Sequence, residues 1–306
     1  MSDQHVVREP SRLSIIAAFG AVYVLWGSTY LAIRFAIETI PPFLMAGTRF
    51  LVAGSLLYAW SRLNGAPKPT GIHWRSAAIV GGLMLFLGNG GVTWAERVIP
   101  SGIAALLIAT VPMWIVFFDW LWHRAAPPGT RVVFGLVIGV IGAGVLTAPG
   151  RFSGTSTIDP LGALALLIAT ISWAVGSLYS RKAPLPSSPL LGIGMEMLAG
   201  AVLLYCLAII AGEPARVNLK ALTFKSTFSL AYLVVFGSLL GFTSYIWLLR
   251  VTSAARVSTY AFVNPVIAML LGWALAGEAL TVQTLVAAGI IILAVFLIVT
   301  GGPLRK

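Results

Sequence analysis

The chain has 306 residues, 58% of them hydrophobic and only 9% charged, with a mean hydropathy of +0.95. Soluble domains carry about 25% charged residues, so this composition excludes a soluble enzyme or binding module and assigns the chain to a lipid bilayer. The formal charge of +11 sits in short connections between apolar runs, with no basic stripe on a polar domain, which sets nucleic acid aside as a partner.

In chain order, Met1 to Ser11 is polar, and Arg8 and Arg12 flank the first apolar run. That run, Leu13 to about Phe35, is too long for a signal-peptide core and has no convincing cleavage site after it, so it reads as a retained helix. Nine more runs follow, at about 42–60, 77–95, 102–122, 132–148, 160–180, 190–211, 229–249, 256–276 and 282–300. Each approaches the roughly 20 residues that cross about 30 Å of hydrocarbon at about 1.5 Å per residue. The runs are continuous, whereas a closed barrel needs alternating segments of about ten residues. Lipid offers backbone N–H and C=O groups no partner, so each run must form a helix. The expected fold is an all-α integral membrane protein of ten transmembrane helices, with no room for a soluble domain.

The same pattern returns along the chain. At an offset of 147, Trp26, Arg34, Pro42, Gly47 and Tyr58 are matched by Trp173, Arg181, Pro189, Gly194 and Tyr205. At an offset of 153, Gly88, Trp94, Arg97, Pro112 and Trp120 return as Gly241, Trp247, Arg250, Pro265 and Trp273. Leu matches arise readily by chance, but aligned Trp, Pro, Arg and Gly do not, which marks a duplication. The halves are residues 1–150 and 151–306. Five helices per half is an odd number, so the second half enters the membrane upside down. Inverted repeats are the mark of alternating-access transporters with a substrate site near the midplane.

Lys and Arg in alternate connections set the orientation. With the N terminus inside, the cytoplasmic side holds thirteen of them: Arg8, Arg12, Arg62, Lys68, Arg75, Arg124, Arg131, Arg181, Lys182, Arg250, Arg256, Arg305 and Lys306. The other side holds six, Arg34, Arg97, Arg151, Arg216, Lys220 and Lys225. Both termini are therefore expected in the cytoplasm, the protein being multi-pass in the cell inner membrane.

Polar groups within the spans are the candidate site, because a charge at the bilayer centre costs from about 2.5 to well over 10 kcal/mol. Arg49 lies seven residues past Pro42 and Glu196 seven past Pro189, as repeat equivalents approaching the middle from opposite faces. One reading is a central pair of opposite sign, Arg49 for a substrate carboxylate and Glu196 for an ammonium; snorkelling or helix-to-helix pairing is the competing one. Asn89 and Thr93 share a face of the third helix, and Tyr260 and Asn264 a face of the ninth. Gly241, Ser244 and Tyr245 put small and polar groups on one side of the eighth. Trp26 with Tyr30, and Trp173 with Ser177, open the two halves and would suit an aromatic or bulky side chain. All these polar residues could equally serve interhelical hydrogen bonds. Pro112 and Pro265 are mid-span and are the expected hinges, unless they only fix static bends. The fifth helix carries Gly135, Gly139 and Gly142, a small-residue face that reads, with the tenth helix, as scaffold or homodimer surface.

The Trp26-Gly27-Ser28 opening, the duplicated Pro112 and Pro265, and the Gly277-Glu278-Ala279-Leu280-Thr281 turn resemble the EamA-type ten-helix exporters of the drug/metabolite transporter superfamily, over the whole chain. The matching place in the first half, His123 to Ala125, lacks the acid of the turn. Within the family the sequence looks most like bacterial exporters of aromatic and other neutral amino acids, and export as the direction comes from that resemblance.

An intramembrane enzyme is disfavoured by the residues themselves. His5, His73 and His123 fall in the tail or in connections, Cys206 has no partner, and Asp119 has no second acid to form a dyad. No phosphate-binding glycine loop is present, and neither cofactor nor metal is called for. The expected function is secondary transport of neutral amino acids by alternating access. The alternative is broad-specificity drug or metabolite efflux coupled to proton antiport.

Overall fold

A computed structural model of the chain describes residues 11–123, 129–147, 159–252, 257 and 259–301. His5, Arg8, Arg124, Ala125, Arg151, Arg256, Arg305 and Lys306, which entered the readings above, lie outside the described residues.

Among the described residues there are helices and no strands. Seven helices are long and apolar enough to cross a membrane: α1 (Arg12–Ala36), α2 (Pro42–Leu63), α3 (Gly71–Ala95), α4 (Ser101–Trp122), α6 (Pro160–Ser180), α7 (Pro189–Ile210) and α8 (Phe224–Leu248). Shorter apolar stretches lie in α5 (Thr130–Thr147), α9 (Tyr260–Ala276) and α10 (Val282–Thr300). Helix occupies most of the described part of each expected run, seven helices having the length and hydropathy of a span, and two helices start early. α3 begins at Gly71 because Thr70 and His73 form a reciprocal capping box ahead of the apolar run. α8 begins at Phe224 because the Thr223 hydroxyl accepts the Ser226 N–H at 3.2 Å.

The two mid-span prolines behave differently. Pro112 has no N–H for the Ile108 carbonyl, and α4 breaks at Ala109 and Thr110 before resuming at Val111. Pro265 carries the same deficit, yet α9 runs through it unbroken. π-helical turns widen α1 at Ala21–Leu25, α3 at Gly81–Asn89 and α8 at Leu233–Phe242. The last two occupy equivalent places in the halves, and such turns leave carbonyls free to bond side chains.

The helices pack in reciprocal pairs. α2 packs along α7 and α5 along α10; α1 packs on α9 as α6 does on α4, and α3 on α6 as α8 does on α1. The reciprocity reaches single residues. A Cβ on Gly47 would meet the Tyr205 ring at 3.2 Å, and one on Gly194 would meet the Tyr58 N at 2.8 Å. A Cβ on Gly88 would meet Trp173 at 3.1 Å, and one on Gly241 would meet Trp26 at 2.5 Å. The residues that recur at 147 and 153 therefore face each other across the join, where only hydrogen fits. The glycines of α5 are used within the chain: Gly135 and Gly142 lie against Ile298 and Ile291 of α10, and Gly139 against Met113 and Ala294.

Candidate functional site

Alternating helices put the C-terminal end of α1 and the N-terminal ends of α2 and α4 on one face, called distal here; the opposite face is proximal. Between them the two halves enclose a cavity of about 70 Å³. It is lined by residues of α1, α2, α3, α4, α6, α8 and α9. A buried water needs about 10–15 Å³ of such space, so the cavity holds a handful of waters and must widen to take a larger solute.

Its one cationic lining residue is Arg49, 4% exposed. The π-helical turn of α8 brings Ser238 to it, and Nε donates to Ser238 Oγ at 2.8 Å; Nη1 donates to Asn89 Oδ1 at 3.3 Å. A Cβ on Gly237 would lie 2.7 Å from Nη2, so glycine there gives the guanidinium its place. The guanidinium also lies 4.9 Å from the centroid of the Phe50 ring. Among the described residues Arg49 has no ion-pair partner. Taking a guanidinium out of water costs several kcal/mol, and two neutral acceptors with one ring offset only part of that. The site therefore favours an anionic group from a ligand.

The proximal end is closed by rings. Trp26 sits edge-on to Trp173 at 5.8 Å and to Tyr260 at 5.6 Å between centroids, and tilted over Tyr245 at 4.9 Å. Phe242 stands edge-on to Trp173 at 6.4 Å. Trp26 Nε1 donates to the Gly237 carbonyl at 3.1 Å, a group in the π-helical turn of α8. Trp173 Nε1 and Ser177 Oγ are buried without a hydrogen-bond partner. With its amide turned to satisfy both ends, Asn264 donates to the carbonyls of Tyr23 at 3.0 Å and Tyr260 at 3.2 Å.

Of the expected site residues, Trp26, Tyr30, Arg49, Asn89, Trp173, Tyr260 and Asn264 line this cavity. Tyr245 forms part of its floor through the ring contacts. The structure does not bring the others in. Thr93 turns its hydroxyl back to the Asn89 carbonyl at 2.9 Å. Ser177 lies beside Tyr245, outside the lining. Ser244 borders a separate groove with Ser14, Ala17 and Trp247. Glu196 is 2% exposed but outside the lining, and it forms no ion pair with Arg49. The cause is close packing at its level: a Cβ on Gly81 of α3 would strike the Glu196 carbonyl, so the α3 and α7 backbones touch and leave no space there. Pro112 and Pro265 are buried just outside the lining; their neighbours Val111 and Asn264 are in it.

A larger cleft of about 600 Å³ lies between α4, α5 and α6. Its hydroxyls, Thr110 and Thr170, are turned to their own helices' carbonyls at Leu107 and Leu167, each at 2.7 Å. What remains of its lining is almost entirely apolar, suited to acyl chains and not to a polar solute.

Sequence reasoning missed Ser238, Phe242 and Glu96. Glu96 continues the spacing of Asn89 and Val92 by four, a signal that was there to read, but it falls at a helix end beside Arg97.

The sequence pattern of the EamA-like transporter family matches residues 12–148 and, separately, 160–300. The chain is 42% identical to a protein described as an uncharacterized inner membrane transporter, YedA of Escherichia coli (strain K12), over 94% of this chain and 92% of that one. It is 27% identical to the transporter YvbV of Bacillus subtilis (strain 168), over 97% and 94% respectively. A chloroplastic WAT1-related protein of Arabidopsis thaliana is 25% identical, over 90% of this chain and 67% of its own. A crystal structure 20% identical in sequence shares the fold, with a TM-score of 0.65 over 94% of this chain and 96% of the other.

Proposed function

The chain belongs to the EamA-like transporter family and is a membrane transporter; from that premise we propose that it carries neutral amino acids, aromatic ones included, outward across the bacterial inner membrane by alternating access. The observation that carries the reading is Arg49: a buried guanidinium in the central cavity, with no carboxylate paired to it among the described residues, opposite a cluster of rings. The substrate carboxylate takes the free face of Arg49, Asn89 and Asn264 offer amide groups to the ammonium, and Trp26, Trp173 and Tyr260 pack the side chain. The name of the Escherichia coli relative supports the inner membrane, and the Lys and Arg count supports cytoplasmic termini.

The test is exchange of labelled threonine, methionine and phenylalanine in liposomes reconstituted with the protein. Flux of at least one is expected, and Arg49→Met is expected to lower it at least tenfold. The variant should melt no lower than the wild type, because the buried charge costs stability that the methionine does not. Absence of flux for all three would sink the amino-acid reading, and undiminished flux in R49M would remove Arg49 from it.

A further inference from the structure

Glu96 immediately follows α3 and is fully buried, at 0% exposure. Its N–H bonds the Val92 carbonyl at 3.0 Å, so the helical register of α3 carries on through it. Asn89, Val92 and Glu96 therefore share a face, and the first two line the cavity. Glu96 extends that wall toward the distal end, and the charge on its carboxylate is felt by two other lining residues, Tyr30 and Arg49.

Neither carboxylate oxygen of Glu96 has a hydrogen-bond partner. The donors nearby are engaged elsewhere. Arg34 of α1 gives Nη1 to the Glu96 carbonyl at 2.6 Å, not to its carboxylate. Ser101 and Gly102 donate to Glu278, in the turn after α9: Ser101 N and Oγ at 2.8 Å to one oxygen, Gly102 N at 3.1 Å to the other. The charged and titratable groups that face Glu96 are thus Tyr30 and Arg34 from α1, Arg49 from α2 and Glu278 from that turn; Arg97, next in the chain, is exposed. A carboxylate buried without donors is strongly disfavoured as an ion, and a proton relieves that penalty. Burial first, and Glu278 as a second carboxylate, push the Glu96 carboxyl well above its usual range, while Arg34 and Arg49 pull the other way.

We propose that Glu96 is a proton-binding site at the distal end of the cavity, and that transport through the cavity is coupled to the binding and release of this proton. The step is a simple association: one carboxylate oxygen takes a proton from the distal medium and gives it back, with no other bond changed. A substrate carboxylate on Arg49 would cancel one of the two cations that favour ionised Glu96, which ties protonation to loading. The proposal rests on the transport reading above, but its first test does not use a substrate.

Infrared difference spectra of the whole protein, titrated in lipid, should contain a protonated-carboxyl stretch that appears with acidification, is absent in Glu96→Gln and is moved in Glu96→Asp. E96D also serves where E96Q does not fold. In liposomes, an imposed pH gradient should change wild-type phenylalanine flux severalfold, and E96Q should exchange phenylalanine without responding to the gradient. A wild-type spectrum without that band, or a gradient response that survives in E96Q, overturns the proposal. The band present with no flux of any amino acid would support the proton site and overturn the substrate assignment instead.

Discussion

At Gly241 the duplication becomes a packing constraint on one side chain. A Cβ there would lie 2.5 Å from Trp26 Nε1, the atom that donates to the Gly237 carbonyl. Gly241→Ala must therefore displace the indole. Overpacking of this kind costs about 1–3 kcal/mol, and the displaced ring also disturbs the floor of the cavity. We expect G241A to lower the melting temperature and weaken phenylalanine exchange. Combining it with Trp26→Phe should cost much less than the two singles added, since the clash then has no partner. A double-mutant cycle on melting temperature measures this, and additive losses would contradict the geometry. Trp26, Arg49 and Asn89 could be placed near the centre from the sequence because polar and aromatic groups mid-span are few, and all three line the cavity. Glu196, expected beside Arg49 as a charge within a span and as its repeat equivalent, lies outside the lining. Equivalent positions share a depth, but near Gly81 the halves are in backbone contact, so the same depth holds a cavity on one side and solid packing on the other.

Two turns show how the second half fastens the first. α2 and α4 both start behind a proline, Pro41 and Pro100, and neither has a side-chain cap of its own. Their unsatisfied N–H groups are met from across the join. Glu213 accepts from Phe43 N at 3.2 Å and Leu44 N at 2.8 Å, and Glu278 does the same for α4. Each acid follows a glycine in the left-handed region, Gly212 at φ 68° and Gly277 at φ 66°, which ends its helix and turns the carboxylate toward the neighbour. A carboxylate at a helix N terminus is also favoured by the helix dipole. Glu213→Ala and Glu278→Ala should each cost about 1–3 kcal/mol, seen as lower melting temperatures in detergent. Unchanged values in both would show that these caps contribute nothing. The Gly277-Glu278 turn was legible from family resemblance, whereas Gly212-Glu213 was not. Its role depends on which helix N terminus lies opposite, and a single chain's pattern does not say that.

For the molecule as a whole, the ten apolar runs and the offsets of 147 and 153 carried the architecture, because lipid forces helices and a duplicated interface repeats its glycines and rings together. The cavity that results is about 70 Å³, with the rings of Trp26, Trp173, Tyr245 and Tyr260 packed at its proximal end, and with Glu96 buried beyond Asn89 and Val92 on the distal side. On the alternating-access reading proposed above, one end opens as the other shuts. Paired spin labels test that claim most directly. With the exposed Cys206 replaced by serine, labels would be placed at Arg97 and Leu219 on the distal face, and at Leu63 and Lys182 on the proximal face. Adding phenylalanine to the protein in lipid should lengthen one of the two distances while shortening the other. Two distances that stay fixed, or that change in the same sense, would contradict the account.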